Sequence, residues 1–159
     1  MTPVEGVSSA ARLVLADAIA YGIKNYNPRY AIDIATLTGA CMVALGNEFA
    51  GLLGNDKDLS KKLRAAGKRT DELLWPLPLH PNYTKAMKGE LSDLQNSGEG
   101  RFAGASKGAA FIKEFVGKTK WAHLDIAGTA YTQAPKSYES KRATGFGVRL
   151  FADFLENLD

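Results

Sequence analysis

The residues with the greatest chemical reach are two aspartates, Asp33 and Asp125, each opening the same tripeptide ahead of a turn. Asp33-Ile34-Ala35 runs into Thr36-Leu37-Thr38-Gly39, and Asp125-Ile126-Ala127 runs into Gly128-Thr129. Both follow apolar runs that read as strands. Ligands in open α/β sheets bind just beyond the carboxyl ends of strands, so the two turns are candidate walls of a site. A buried carboxylate is costly unless it is paired or bonded. One reading makes Asp33 and Asp125 paired metal ligands, or a general acid and base. The other makes them framework acceptors of backbone and hydroxyl hydrogen bonds, and the lack of further ligand residues beside them favours it.

Other reactive groups are thinly supported. His123 shares a strand face with Asp125, but His80 is far away in sequence, and one His-x-Asp pair falls short of the three or four ligands of a stable metal site. Gly98-Glu-Gly100-Arg-Phe-Ala-Gly104, with Lys107 beyond it, has the composition of a phosphate-cradling loop. Its spacing matches neither the P-loop nor the dinucleotide fingerprint. Ser8, Ser9, Ser92, Ser97 and Ser106 all lie outside any Gly-x-Ser-x-Gly elbow, so a serine hydrolase has no support. Cys41 sits between Ala40 and Met42 in an apolar run and reads as a buried, inert thiol.

These residues need elements to hold them. Ser8 to Lys24 has almost no polar face apart from Arg12 and Asp17, which predicts a helix buried nearly all round, with Ser8 or Ser9 as its N-cap. Asn27-Pro28 breaks it, and Tyr30 to Leu37 predicts a central strand buried on both faces. A short helix follows over Thr38 to Gly46, then a strand over Phe49 to Leu53. Asp56 caps a surface helix, Lys57 to Lys68, whose Leu59 and Leu63 share one face. Trp75 to Pro81 is an extended connection because of its prolines, and a short helix is possible over Asn82 to Lys88. A polar loop over Leu91 to Phe102 leads to a packed helix over Ala103 to Val116. Trp121 to Ala127 is a second buried strand, Gly128 to Ala143 a long loop, and Thr144 to Leu158 a terminal helix. Strands alternating with helices predict an α/β fold in three layers, a mostly parallel central sheet flanked by helices.

Bulk properties narrow the function. At 159 residues the chain holds one domain with a real core. Its 45% apolar and 23% charged residues are those of a globular protein, which excludes a disordered or fibrous one. A net charge of +3 spread thinly along the chain argues against nucleic-acid binding. No window is long and apolar enough to cross a bilayer, and no signal peptide opens the chain, so no membrane role is expected. The lone cysteine fits a reducing compartment, and the cytoplasm is the expected location.

Several stretches, read together, resemble successive motifs of the leucyl aminopeptidase family in family order. They are Arg12-Leu-Val-Leu-Ala-Asp-Ala18, Asp33-Ile-Ala-Thr-Leu-Thr-Gly-Ala40, Asn96-x-Gly98 with Gly104-Ala105, Ala109-Ala-Phe-Ile-Lys-Glu-Phe115, and Trp121-Ala-His-Leu-Asp-Ile-Ala-Gly-Thr129. Thr144-Gly145 fits the family's closing Ala-Thr-Gly. The resemblance covers nearly everything from Arg12 onward and implies the carboxy-terminal part of a catalytic domain.

It implies a hydrolase that removes amino-terminal residues from peptides, with two divalent metals, zinc or manganese, polarising the scissile carbonyl and activating a bridging water. The family's metals are held by a lysine, three aspartates and a glutamate, and an arginine holds a bicarbonate that acts as a base. That arginine lies in the signature Asn-Thr-Asp-Ala-Glu-Gly-Arg-Leu, which survives here as Arg12-Leu13. Ungapped alignment puts Ser8 at the ligand Asp and Ala10 at the ligand Glu, and neither can replace a carboxylate between two cations. The expectation is therefore an altered or added start over residues 1–11, a single partial catalytic domain over 12–159, no metal ligands, and no activity of the chain alone. By the same resemblance Arg12 takes the bicarbonate position, Thr36, Leu37 and Gly39 form a substrate-binding loop, and the family assembles as homo-hexamers. Two other readings stand beside it: a non-enzymatic α/β oligomerisation or interaction module, and an enzyme of another class built on Asp125, His123 and the Gly98 loop.

Overall fold

A computed structural model describes residues 5–88, 94, 102–132 and 142–158, with side chains from residue 10 onward. Four strands form the central sheet: β1 (Tyr30–Ala35), β2 (Ala50–Gly54), β3 (Leu74–Pro76) and β4 (Lys120–Asp125), in the order β1-β4-β2-β3. β1 pairs with β4 in parallel, β3 with β2 in parallel, and β2 with β4 antiparallel. The sheet is mostly parallel and the fold is α/β.

The described helices are α1 (Glu5–Tyr26), α2 (Gly39–Leu45), α3 (Lys57–Thr70), α4 (Pro81–Lys85), α5 (Gly104–Lys113) and α6 (Val148–Glu156). Side chains alternate across a strand, and each sheet face buries its own set. Ala31, Ala35, Leu53 and Trp121 pack under Ala16 and Ile19 of α1 and Ala109 and Ile112 of α5. Ile32, Ile34, Leu52 and Leu124 pack against Leu59 and Leu63 of α3 and Leu150 and Phe154 of α6. Helices therefore flank both faces, giving three layers.

Local chemistry explains several boundaries. The Asp56 side chain accepts from the Leu59 amide at 2.8 Å, and α3 ends at Asp71, whose φ of 58° is left-handed. The Thr38 hydroxyl caps α2 by accepting from the Cys41 amide at 3.1 Å. In α6 the cap comes from elsewhere in the chain. Gly145 and Gly147 take φ of 70° and 101°, which no helix continues, so α6 starts at Val148 and not at Thr144. Buried Glu72 then accepts from the Gly147 and Leu150 amides at 3.1 and 2.8 Å. Its carboxylate meets the positive end of the helix dipole.

Five other expectations give way. Ser8 and Ser9 lie inside α1 rather than capping it. α1 is not buried all round: one face packs against α5 and the sheet, while Val14 and Tyr21 on the other are exposed. β1 is an edge strand whose residues other than Asp33 are half-buried, not a central one. Leu74–Pro76 is a strand, since its Pro76 stands on an outer strand where no donor is required. The expected long loop over 128–143 contains a short antiparallel ladder, β5 (Tyr131–Thr132) with β6 (Arg142–Ala143). The glycine-bearing stretch with Asn96, Gly98 and Gly100 lies outside the described residues.

Candidate active site

Parallel pairing of β1 with β4 sets Ala35 level with Asp125, so the two strand ends and their turns lie side by side. Asp125 is fully buried and organises the neighbouring turn. Its Oδ1 accepts from the amides of Leu37, Thr38 and Ala127 at 3.1, 3.4 and 3.2 Å. Its Oδ2 accepts from the Thr38 hydroxyl at 2.6 Å. One carboxylate thus fixes the turn between β1 and α2, and Thr38 carries the constraint on into the α2 cap. Leu37 is driven into the core, while Thr36 and Gly39 face outward.

α5 approaches this turn at a glycine. A Cβ at Gly108 would stand 3.1 Å from Thr38 Cγ2, 3.2 Å from Leu37 Cδ2 and 3.6 Å from Arg12 Nε. Arg12 of α1, the β1–α2 turn and α5 therefore converge at one point. Arg12 is partly buried. Burial pulls its pKa below the ordinary value, and the nearby charge of Asp125 opposes that shift. A guanidinium keeps its charge in a protein, and here its surroundings screen that charge poorly. Of the four candidates, Arg12 and Leu37 meet beside Gly108, whereas Thr36 and Gly39 lie on the outer side of the same turn.

Cys41 is buried beside this centre, donating to the Asp125 carbonyl at 3.5 Å. Desolvation, then the Asp125 charge, push its thiol up to about 11. A thiol so shifted is a poor nucleophile at neutral pH. The inert reading holds.

The other aspartate forms a separate cluster. Asp33 Oδ1 lies 2.5 Å from His123 Nδ1, and Oδ2 accepts from Trp121 Nε1 at 2.6 Å. The Trp121 and His123 rings stack with centroids 6.5 Å apart. All three are buried, so the group braces β1 against β4. Both aspartates are thus framework acceptors. His80 caps α4, its Nδ1 accepting from the Asn82 amide at 3.2 Å. Among the described residues, no group of three or more His, Cys, Asp or Glu side chains could hold a metal ion.

The sequence matches the catalytic domain of the cytosol aminopeptidase family over residues 3–152. The chain belongs to that family. Curated relatives agree: it is 51% identical over 148 residues to a probable cytosol aminopeptidase of Cenarchaeum symbiosum, covering 91% of this chain and 30% of that protein. It is 46% identical over 153 residues to one from Geobacter sulfurreducens, covering 96% and 30%. A third, from Protochlamydia amoebophila, is 50% identical over 148 residues, covering 92% and 30%. The chain therefore spans about three-tenths of the length of the cytosol aminopeptidases it matches.

Among the described residues the donor set does not fit a pair of divalent cations. Ala10, at the position the signature gives to a glutamate, offers an exposed methyl group. Asp125 and Asp33 have both oxygens engaged by the framework. Sequence reasoning missed Gly108 and Glu72. Gly108 lies in the small-residue run Gly104-Ala-Ser-Lys-Gly-Ala-Ala110, a signal of close packing, but nothing there says which element comes close.

Proposed function

We propose that residues 12–159 are a partial catalytic domain of a metal-dependent leucyl aminopeptidase, preceded by an altered or added start over residues 1–11. In this reading the domain contributes to a site for the amino-terminal residue of a peptide. Arg12 supplies a fixed positive charge for a bicarbonate or carboxylate-like anion. Thr36 and Gly39, on the outer face of the turn, meet the substrate, and Leu37 anchors the turn from inside. The observation that carries the reading is the meeting of Arg12 and the Asp125-bound turn over Gly108. It holds a cation beside the loop that would face substrate, with little freedom lost on binding.

The chain alone does not carry out hydrolysis. The family's two zinc or manganese ions would supply Lewis-acid chemistry, but Ser8 and Ala10 stand where two of their carboxylates belong. Assembly with further copies, hexameric in the family, and a cytoplasmic location belong to the same reading. The family's name and the single reduced thiol of Cys41 support the location.

The test is calorimetric titration with zinc and with manganese, alongside hydrolysis of a leucyl amide. No turnover and no tight metal binding are expected. Metal-dependent turnover by the purified chain would refute the proposal.

A further inference from the structure

At the end of the sheet away from the candidate site, the fold gathers positive charge that the sequence scatters. Tyr30 and Lys120 open β1 and β4 side by side, and a groove of about 470 Å³ lies between them and α3. Arg29, Lys61, Lys62 and Lys120 line it, against one carboxylate, Asp58. The whole chain carries a net charge of only +3, so the groove holds as large an excess as the entire molecule. Lys120 Nζ lies 3.3 Å from Asp56 Oδ2, and the other oxygen of that carboxylate already caps α3. Among the described residues neither Lys61 nor Lys62 has an ion-pair partner. The Arg29 guanidinium stands 5.0 Å from the centre of the Tyr30 ring, a cation–π contact that holds it at the groove wall. Ala65, one helical turn beyond Lys61, leaves room that a longer side chain would fill. The six residues of β1 separate this groove from Thr36, about 20 Å at the rise of a strand.

We propose that this groove binds the phosphate chain of a small polyphosphate anion. Neighbouring cations without carboxylates repel one another, and an anion of several charges set between them relieves the repulsion. An arginine fork with lysine point charges beside it is the donor set that suits phosphate oxygens. The volume falls in the range of small-ligand pockets. Apolar surface is a poor occupant, because covering these cations would strip their water and return no acceptor. That holds equally for apolar surface from the part of its relatives' length that this chain does not span. Charge thus selects the occupant here, as it does not along the apolar β1.

The inference goes beyond the proposed function and is independent of it, since the groove and the β1–α2 turn lie at opposite ends of β1. Calorimetric titration of the full 159-residue chain with inorganic triphosphate, free of divalent metal and at physiological ionic strength, tests it. Saturable one-to-one binding is expected. The double variant Lys61→Gln, Lys62→Gln should weaken it about tenfold or more. Arg29→Gln should weaken it to a similar degree, and it lies outside α3, so it reports even if the helix variant fails to fold. Arg64→Gln with Lys68→Gln removes equal charge from the same helix outside the groove, and should leave the affinity within about twofold of the parent. Absence of saturable binding would overturn the proposal. So would equal losses in the two double variants, since that marks attraction to net charge and not to a site. Sulfate binding as tightly as triphosphate would overturn it too, because one small anion cannot reach the four cations together.

Discussion

Removing the Asp125 carboxylate tests how the candidate site is held. In Asp125→Ala four donors lose their acceptor at once: the amides of Leu37, Thr38 and Ala127 and the Thr38 hydroxyl. Each buried donor left without a partner costs about 1–3 kcal/mol. The low end applies where the turn can admit water, since Ala127 is only half-buried. A loss of roughly 3–5 kcal/mol follows from four such donors. Asp125→Asn keeps one acceptor oxygen for the three amides. It turns the Thr38 contact round, however, and Thr38 Oγ1 already accepts from the Cys41 amide. The expected loss there is about 1–2 kcal/mol. Urea unfolding followed by tryptophan fluorescence measures both, and an unchanged denaturant slope would confirm that the folded state is lost as one unit. If Asp125→Ala lost less than about 1 kcal/mol, or Asn cost as much as Ala, the account of the turn would be wrong.

Gly22→Ala should stabilise the dilute chain by about 0.5–1 kcal/mol, because it removes a flexible residue from α1 where a methyl group meets nothing; thermal unfolding reads it. Gly108→Ala should lose about 1 kcal/mol, the crowding of Thr38 and Leu37 outweighing the better helix propensity. Gly54→Ala should lose more, since its Cβ would stand 2.7 Å from the Trp121 carbonyl, a backbone atom that cannot swing aside. The Cys41 thiol, ordinarily titrating near 9.0, is held to about 11 in the folded chain. Between those values the unfolded chain binds fewer protons than the folded one, so stability falls as pH rises through that window. Cys41→Ser or Cys41→Ala should flatten the fall in a chemical-denaturation series from pH 8 to pH 11.

Much of the site could be read before any coordinates. The strand-end aspartates could be read as framework acceptors because nothing around them could complete a metal shell, and the structure gives each a full set of donors. The Asp56 cap, the Leu59 and Leu63 face of α3 and the inert thiol of Cys41 also follow from local pattern, because each depends on residues within a turn or two of sequence. What escaped were contacts made across long separations. Glu72 caps α6 from 75 residues away, and Gly108 meets a turn formed 70 residues earlier. No periodicity encodes such a meeting.

β1 and α1 separate the two levels of information most clearly. Their composition, with few polar residues on any face, favours burial of both in a packed structure, since burial is how apolar side chains gain free energy. Membership of the cytosol aminopeptidase family is likewise a property of the residues in order. Tertiary structure alone decides which faces are covered within this chain. Among the described residues β4 satisfies one edge of β1 and α5 covers one side of α1, while the other edge and the other side stay uncovered. Pairing and packing are relations between distant residues, and only the folded backbone decides which of them are met.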